Sequence, residues 1–431
     1  MRILFISNDL IGGNLAYLLK QEGHNVKLFI EDSGRYENFD NMIPKTYNWR
    51  RELPWVGKDG LIIFDDTGYG EIQEELRKDG YIVFGGSKLG DKMEMDRSYG
   101  QKIFKKYGLK TVPLKDFSNA KKAIDFVKKN KKAWVIKQNN HHYSKIVNYI
   151  GEFDDGRDVV GMLKNYALNS KFKNEKISLH EKLKGVEIGV GRYFNGKDWV
   201  GPIEFNIEHP RFFPGDVGPM TSEMGTLAWY SDNEENKLYK EILKKIKPYL
   251  RKIDFRGDFE INCIVNKTGV YPLEATARLG SPIIHLHSEI HKSPWGEFLY
   301  AIAKGENYNL KWEKGFGLVV LVAIPPFPYT ERAQKNILYG SNIYMTDFKE
   351  EDWKHIHFEE VALKKGSQFY ISDTRGYIVY ATSIAKTIKE AQKKVYELID
   401  KIYIPKMFYR NDIGNSFLKK NQALLKKWGY L

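Results

Sequence analysis

The chain reads as an α/β and α+β multidomain protein, with an N-terminal doubly wound parallel α/β domain and a C-terminal β-rich domain. Three observations predict this. Short apolar runs alternate with helix-forming runs over residues 1–88. At 431 residues the chain exceeds the size at which one core keeps growing, so about two to four subdomains are expected. From about Gly315 the alternation gives way to closely spaced apolar strands.

The elements follow in order. RILFIS is a strand, NLAYLLKQEG a helix and NVKLFI a strand. LIIFDD and YIVFGG are further strands, with EIQEELRKDG helical between them. The Gly12-Gly13 pair after the first strand either admits a phosphate at a helix N-terminus or makes a tight turn. Residues 96–108 form a helix ending at Gly108, and KTVP starts an extended segment. AKKAIDFVKKN is amphipathic, and AWVIKQ is a strand. Strands joined by the Asn195-Gly196 turn run from KISLHEKLKG to PIEFNIE, and ENKLYKEILKKIKPYLRKI reads as one long helix. The C-terminal strands lie in FGLVVLVAIPPFPY, SQFYISDT and YIVYATSIA, ahead of the helix TIKEAQKKVYELIDKI. The tail from Asn415 to Leu431 is amphipathic and is expected to pack as a last helix.

Composition narrows the function classes. No apolar run approaches the ~20 residues that cross a bilayer, and Met1 leads straight into a buried-strand pattern unlike a signal peptide. The single cysteine, Cys263, excludes an intramolecular disulfide and a multi-cysteine zinc site, so a cytoplasmic location is expected. The net charge of +13 raises the question of nucleic acid. The lysines are spread along helical runs among acids, which points to solvated faces and to anionic small-molecule substrates. No nucleic-acid or membrane partner is expected, and the chain is read as a monomer or homodimer.

The segment FEINCIVNKTGVYPLEATARLGSP carries the most chemistry. Two apolar strands flank an Asn266-Lys267-Thr268-Gly269 turn, a hairpin signal. Glu274, Thr276 and Arg278 follow at two-residue steps and share a face if the strand continues. Glu260 lies on the first strand, where the hairpin can bring it near Glu274. Two such carboxylates suit Mg²⁺ on nucleotide phosphates, with an arginine to neutralise a transferring phosphoryl group. The alternative is an edge hairpin with solvated acids.

Three separated segments, HPRFFPGDVGPMTSEMGT (209–226), LEATARLGSP (273–282) and TIKEAQKKVYELIDKI with FYRNDIG (387–414), resemble the phosphoribosylamine–glycine ligase family. The resemblance spans most of residues 96–414. It implies an ATP-grasp fold, with an N-terminal domain at 1–88, an ATP-grasp core at 89–314 carrying a lid at about 115–182, a β-rich domain at 315–414 and a helical tail at 415–431. The implied reaction is ATP-dependent and ADP-forming, joining glycine to phosphoribosylamine with ATP and Mg²⁺ (or Mn²⁺). Related readings are a ligase for another carboxylate and amine, and a non-catalytic nucleotide-binding relative.

The family's roles map by position. Lys137 and, in the lid loop, Lys145 are phosphate-contacting lysines, and Arg97 stands where another ATP-contacting lysine is usual. Glu181, Lys182 and Leu183 are implied to line adenine through backbone groups, and Glu187 to reach the ribose. Glu274 is the implied metal ligand. Thr276 replaces the usual asparagine, with Glu260 as a substitute ligand. Arg278 and Lys145 are the implied catalytic cations. The implied substrate loop holds Asp216, Gly218, Pro219, Thr221, Ser222, Glu223, Met224 and Gly225, with Ser222 and Glu223 in place of two glycines. Two departures stand out: NDLIGGNLAY places Asn14 and Leu15 where the family carries charge, and the lid loop QNNHHYSKI lacks glycine. His141 and His142 are expected in solvent, and His285, His287 and His291 in packing or solvent and not on zinc.

Overall fold

The strand Arg2–Ser7 is buried at all but its first residue, as a central parallel strand covered on both faces must be. A computed structural model of the chain describes residues 1–137, 148–169, 176–329 and 338–431. Arg2–Ser7 pairs in parallel with Asn25–Ile30 on one side and Leu61–Phe64 on the other, and Ile82–Phe84 completes a four-stranded sheet. Alternate residues serve different cores. Ile3 and Phe5 join the large core shared with the rest of the chain, while Leu4 and Ile6 pack with Trp49, Val56 and Phe64 on the opposite face. The helices Gly13–Gln21 and Gly70–Lys78 connect the strands.

The Gly12-Gly13 turn is a packing turn. The Gly12 N–H donates to Asp65 Oδ2 at 2.7 Å, so an acidic side chain already occupies the helix N-terminus. A Cβ on Gly12 would lie 2.6 Å from Phe5, and one on Gly13 would lie 2.6 Å from Phe39. Burial, then the charge of Asp66, pushes the Asp65 carboxyl up to about 7, against the pull of Ser7 and Gly12. An unfolded aspartate ionises near ~3.9, so between there and about 7 the folded chain retains a proton that the unfolded chain has lost. The stability from this group is therefore full at low pH and falls as pH rises through that window, by about 4 kcal/mol in all. Asp65→Asn should remove this slope. In paired thermal unfolding at about pH 5 and about pH 8, the variant is expected to gain on the parent at the higher pH; a constant difference would count against the buried, protonated carboxyl.

Downstream of the sheet, Lys88–Met95 and Arg97–Lys106 are separate helices, broken at Asp96, whose carboxylate caps the second by accepting from the Tyr99 N–H at 2.9 Å. A second, antiparallel four-stranded sheet runs in the order Leu114–Phe117, Ile177–Glu181, Trp134–Lys137, Tyr149–Ile150. The amphipathic helix Ala120–Lys129 and the helix Arg157–Leu168 cover it, enclosing a small core of their own around Val127, Trp134, Leu163 and Leu179.

The central sheet has eight antiparallel strands. Their order is Gly269–Thr276, Arg256–Asn266, Val186–Asn195, Trp199–Glu208, Gly225–Ser231, Phe316–Ala323, Tyr377–Ala385, Ile356–Phe358. The β-rich C-terminal segment thus adds three strands to this sheet, and the helix Ile388–Ile399 packs on two of them. The expected long helix is two: Lys237–Glu241 and Leu243–Lys252 meet at Ile242, whose backbone (φ −115°, ψ −79°) departs from helical values. Pro248 adds a missing N–H inside the second helix. The tail ends in a helix, Gln422–Lys427, that buries Leu425. No helix among the described residues is long and apolar enough to cross a membrane.

Candidate active site

The site grows from strict alternation in three neighbouring strands. On Arg256–Asn266, Phe259, Ile261, Cys263 and Val265 enter the apolar core, so Asp258, Glu260 and Asn262 share the other face. Glu204, Asn206 and Glu208 do the same on Trp199–Glu208, as do Glu187, Gly189, Gly191 and Tyr193 on the strand between. Register aligns them in rows: Glu260 and Glu204 flank Gly191, and Asn262 and Asn206 flank Gly189. The glycines form a trough. A Cβ on Gly189 would lie 2.4 Å from both Asn206 Oδ1 and Glu260 Oε1, and one on Gly191 would lie 2.7 Å from Glu204 Oε2. Above the trough is a cleft of about 150 Å³, lined by Asn206, Glu208, Glu260 and Asn262 together with Ser222, Glu223, Thr226, Glu274, Thr276 and Arg278.

The hairpin turns at Asn266–Gly269 as the sequence implies, but a bulge sets its register so that Glu274 faces Asn262 and Glu260 faces Thr276. The two acids are diagonal neighbours. Glu274 accepts from Arg97 Nη2 at 2.6 Å. Lys137 ends the lid strand Trp134–Lys137 and is half-buried. Burial lowers its ammonium pKa, and Glu274 and Glu187 act in the opposite direction. Lys137 and Glu274 therefore stand within electrostatic reach of one another. His180, beside them, is held down to about 4 by burial and by Lys137. Glu187 is exposed on its strand; the surrounding protein raises its carboxyl pKa while Lys137 pulls it back. Arg278 donates from Nε to Glu94 at 3.1 Å and from Nη1 to the Leu279 carbonyl at 2.9 Å, which fixes its guanidinium at the cleft wall.

The Lys182 N–H donates to the Ala133 carbonyl at 2.8 Å, tying the end of the strand Ile177–Glu181 to the start of Trp134–Lys137. Its ammonium pairs with Glu152 at 2.7 Å, and Glu181 pairs with Lys132 at 2.8 Å. Leu183 follows, half-buried. Lys145, His141 and His142 lie outside the described residues.

The 215–226 loop divides into frame and lining. Asp216 takes a left-handed conformation (φ 56°) and accepts from Arg410 at 2.9 Å. Gly218, also left-handed, lies against Phe213, and Pro219 belongs to the short strand Val217–Met220. The Thr221 hydroxyl donates to the Pro210 carbonyl at 2.8 Å. Met224 is enclosed in an apolar core, and Gly225 passes so near Val319 that a Cβ would lie 2.4 Å from its carbonyl oxygen. Ser222 and Glu223 face the cleft: the Ser222 hydroxyl donates to Tyr377 at 3.0 Å, and Glu223 accepts from the Thr226 hydroxyl.

Four functional candidates escape the sequence reading: Glu204, Asn206, Glu208 and Asn262. Their signal was the period-two polar pattern in IEFNIE and FEIN, which also fits an ordinary half-solvated strand. Burial raises the carboxyl pKa of Glu208, Glu223 and Glu260, and neighbouring acids raise each further. His285, His287 and His291 are buried and packed: the Tyr193 hydroxyl lies 2.8 Å from His287 Nδ1, and His291 stacks on Trp295. Among the described residues, no three His, Cys, Asp or Glu side chains stand close enough to hold a metal ion.

Comparison with known proteins decides the family. The model for "Phosphoribosylglycinamide synthetase, ATP-grasp (A) domain" matches residues 95–283, and the one for the C domain of the same synthetase matches residues 318–416. The chain belongs to the phosphoribosylglycinamide synthetase family. A phosphoribosylamine–glycine ligase of Clostridium acetobutylicum is 27% identical over 356 residues, covering 80% of this chain and 81% of the relative. One from Helicobacter pylori J99 is 27% identical over 392 residues, covering 88% and 85%. The crystal structure of a phosphoribosylamine–glycine ligase from Thermotoga maritima superposes with a TM-score of 0.69 at 21% identity, over 96% of this chain and all (100%) of that one. A biotin carboxylase from Campylobacter jejuni, solved as a β-γ-ATP complex, superposes at 0.63 with 12% identity, over 100% and 97%. These structural likenesses establish the ATP-grasp fold.

Proposed function

We propose that this protein is an ATP-dependent, ADP-forming carboxylate–amine ligase that joins glycine to phosphoribosylamine, giving glycinamide ribonucleotide, ADP and phosphate. The observation that carries the reading is that Glu274 and Arg278, from one segment, line the cleft while Lys137, from a separate strand, stands within electrostatic reach of Glu274. Mg²⁺ fits the oxygen donors of Glu274, Asn262 and Glu208, completing its shell from phosphates and water, and would neutralise phosphate charge there. Lys137 holds a phosphate from the lid side. Arg278 stabilises the charge on the phosphoryl group as it moves from ATP to the glycine carboxylate. The amine then attacks the acyl phosphate, the carbon–oxygen bond to phosphate breaks, and the amine loses a proton. Arg97, paired with Glu274 at 2.6 Å, adds a second cation beside the phosphate position. The substrates are small molecules.

Ser222 and Glu223, which narrow the cleft and add charge, favour a second reading: the same chemistry on another amino acid or another amine. An ADP-release assay with glycine and phosphoribosylamine separates them. Turnover with that pair is the expected result. Turnover with other amines or amino acids alone would support the second reading, and nucleotide binding with no turnover on any pair would overturn both.

A further inference from the structure

Past Thr276 the hairpin strand loses its ladder: Glu260 and Thr276 are the last pair, and residues 277–280 lie outside any strand. Arg278, which phosphoryl transfer needs at a fixed point of the cleft wall, stands in that unsupported stretch. What holds it is Glu94, in the last turn of the helix Lys88–Met95. Glu94 Oε2 accepts from the Ala277 N–H at 2.7 Å and its Oε1 from Arg278 Nε at 3.1 Å, so one carboxylate fixes the backbone of one residue and the side chain of the next. Arg278 Nη1 is taken by the Leu279 carbonyl at 2.9 Å, and Nη2 makes no hydrogen bond among the described residues.

The acid sits where an acid is costly. A helix C-terminus already carries partial negative charge. Glu94 is only 13% exposed, and Asp66 and Asp91 add like charge beside it. Helix stability alone favours a neutral or basic residue at this position. The guanidinium also has a competing partner, because Glu260, in the cleft, lies within electrostatic reach of Arg278. An arginine released from Glu94 would pair with that carboxylate, and its charge would be lost to a phosphoryl group.

We propose that Glu94 is a positioning residue of the ligation reaction: it clamps Ala277 and Arg278 so that the guanidinium stays available to the transferring phosphoryl group and does not swing onto Glu260. The proposal rests on the ligase reading above, which gives Arg278 its task. Glu94 is not part of the cleft lining and acts only through Arg278. Asp66, just past the strand Leu61–Phe64 and 3.9 Å from Arg278 Nε, backs the clamp from the N-terminal sheet.

Steady-state kinetics of the full chain with ATP, glycine and phosphoribosylamine test this. Glu94→Gln retains an acceptor for the Ala277 N–H and loses the charge that holds Arg278. It is expected to lower kcat about thirtyfold to a hundredfold while leaving KM for ATP within about twofold. In an Arg278→Ala background the same substitution should cost less than about twofold more, because the group through which it acts is gone. Glu94→Asp retains the charge on a shorter stem that cannot meet both donors, and should lower kcat about tenfold; it carries the same cycle if the glutamine variant does not fold. Unchanged kcat in both variants, a KM for ATP that rises as far as kcat falls, or a full further loss in the double variant would each overturn the role.

A second measurement needs neither amine nor amino acid. Calorimetric titration of the chain loaded with Mg²⁺ and ADP uses tetrafluoroaluminate, a mimic of a phosphoryl group in transfer. Removing a negative charge should by itself strengthen binding of this anion. A loss of about tenfold in Glu94→Gln, with ADP affinity within about twofold of the parent, is therefore the mark of a guanidinium set free. That loss in a chain whose parent releases no ADP from glycine and phosphoribosylamine retains the clamp and removes the named reaction. Anion affinity that does not fall in the variant removes the clamp.

Discussion

Glu274→Ala is expected to lower metal-dependent ADP release by about a thousandfold with little change in thermal unfolding. Glu274 is the carboxylate in reach of both the lid lysine and Arg97, at the end of a strand whose backbone pairing does not depend on its side chain. Its removal takes away a ligand for the cation that neutralises phosphate charge, an interaction that matters most as charge shifts in the transition state. The side chain is 36% exposed, so its loss opens no core cavity, and the cost in stability should stay within about 1 kcal/mol. The measurement is initial ADP release against Mg²⁺ concentration, alongside a melting curve. Near-normal turnover in the variant would remove Glu274 from the metal site.

Lys137→Ala should act chiefly on nucleotide affinity, weakening ATP binding about tenfold to a hundredfold, as expected for one charge-assisted contact in a low-dielectric site. The lysine is the last residue of a strand whose preceding residues, Trp134 and Ile136, are packed in the small core of the second four-stranded sheet, so its ammonium is brought near Glu274 by a packed element. It also offsets Glu274 and Glu187. Lys137→Arg retains the charge but alters its geometry, and should recover part of the affinity. Fluorescent-nucleotide titration reads both variants. Unchanged affinity in the alanine variant would rule out the phosphate role.

Local pattern made much of this legible. The parallel N-terminal sheet followed from apolar strands at helical intervals, and the hairpin from its Asn-Lys-Thr-Gly turn. The two-residue spacing after the hairpin singles out Glu274 and Arg278, and residue-by-residue resemblance adds Lys137. What escaped depended on register. FEIN and IEFNIE each look like a strand with one wet face, and nothing local says that the polar faces point at one another across two glycines. An unbroken ladder from the Asn266–Gly269 turn puts Glu260 opposite Ala275, beside Glu274; the bulge between Asn262 and Cys263 sets it opposite Thr276 instead. The Gly12-Gly13 turn reads as open to an anion in the sequence, but Asp65, just past a strand more than fifty residues later, takes its amide. The helix break at Ile242 is likewise a tertiary choice.

The strand Phe316–Ala323 lies against Gly225–Ser231, the strand that follows the Ser222-Glu223 wall. A fragment ending before residue 316 would leave the Gly225–Ser231 backbone groups unpaired along one rim, open to a neighbouring molecule. The catalytic half and the carboxy-terminal portion are therefore one hydrogen-bonded fabric, and proteolysis between them should yield a sticky, self-associating remnant in place of a miniature enzyme.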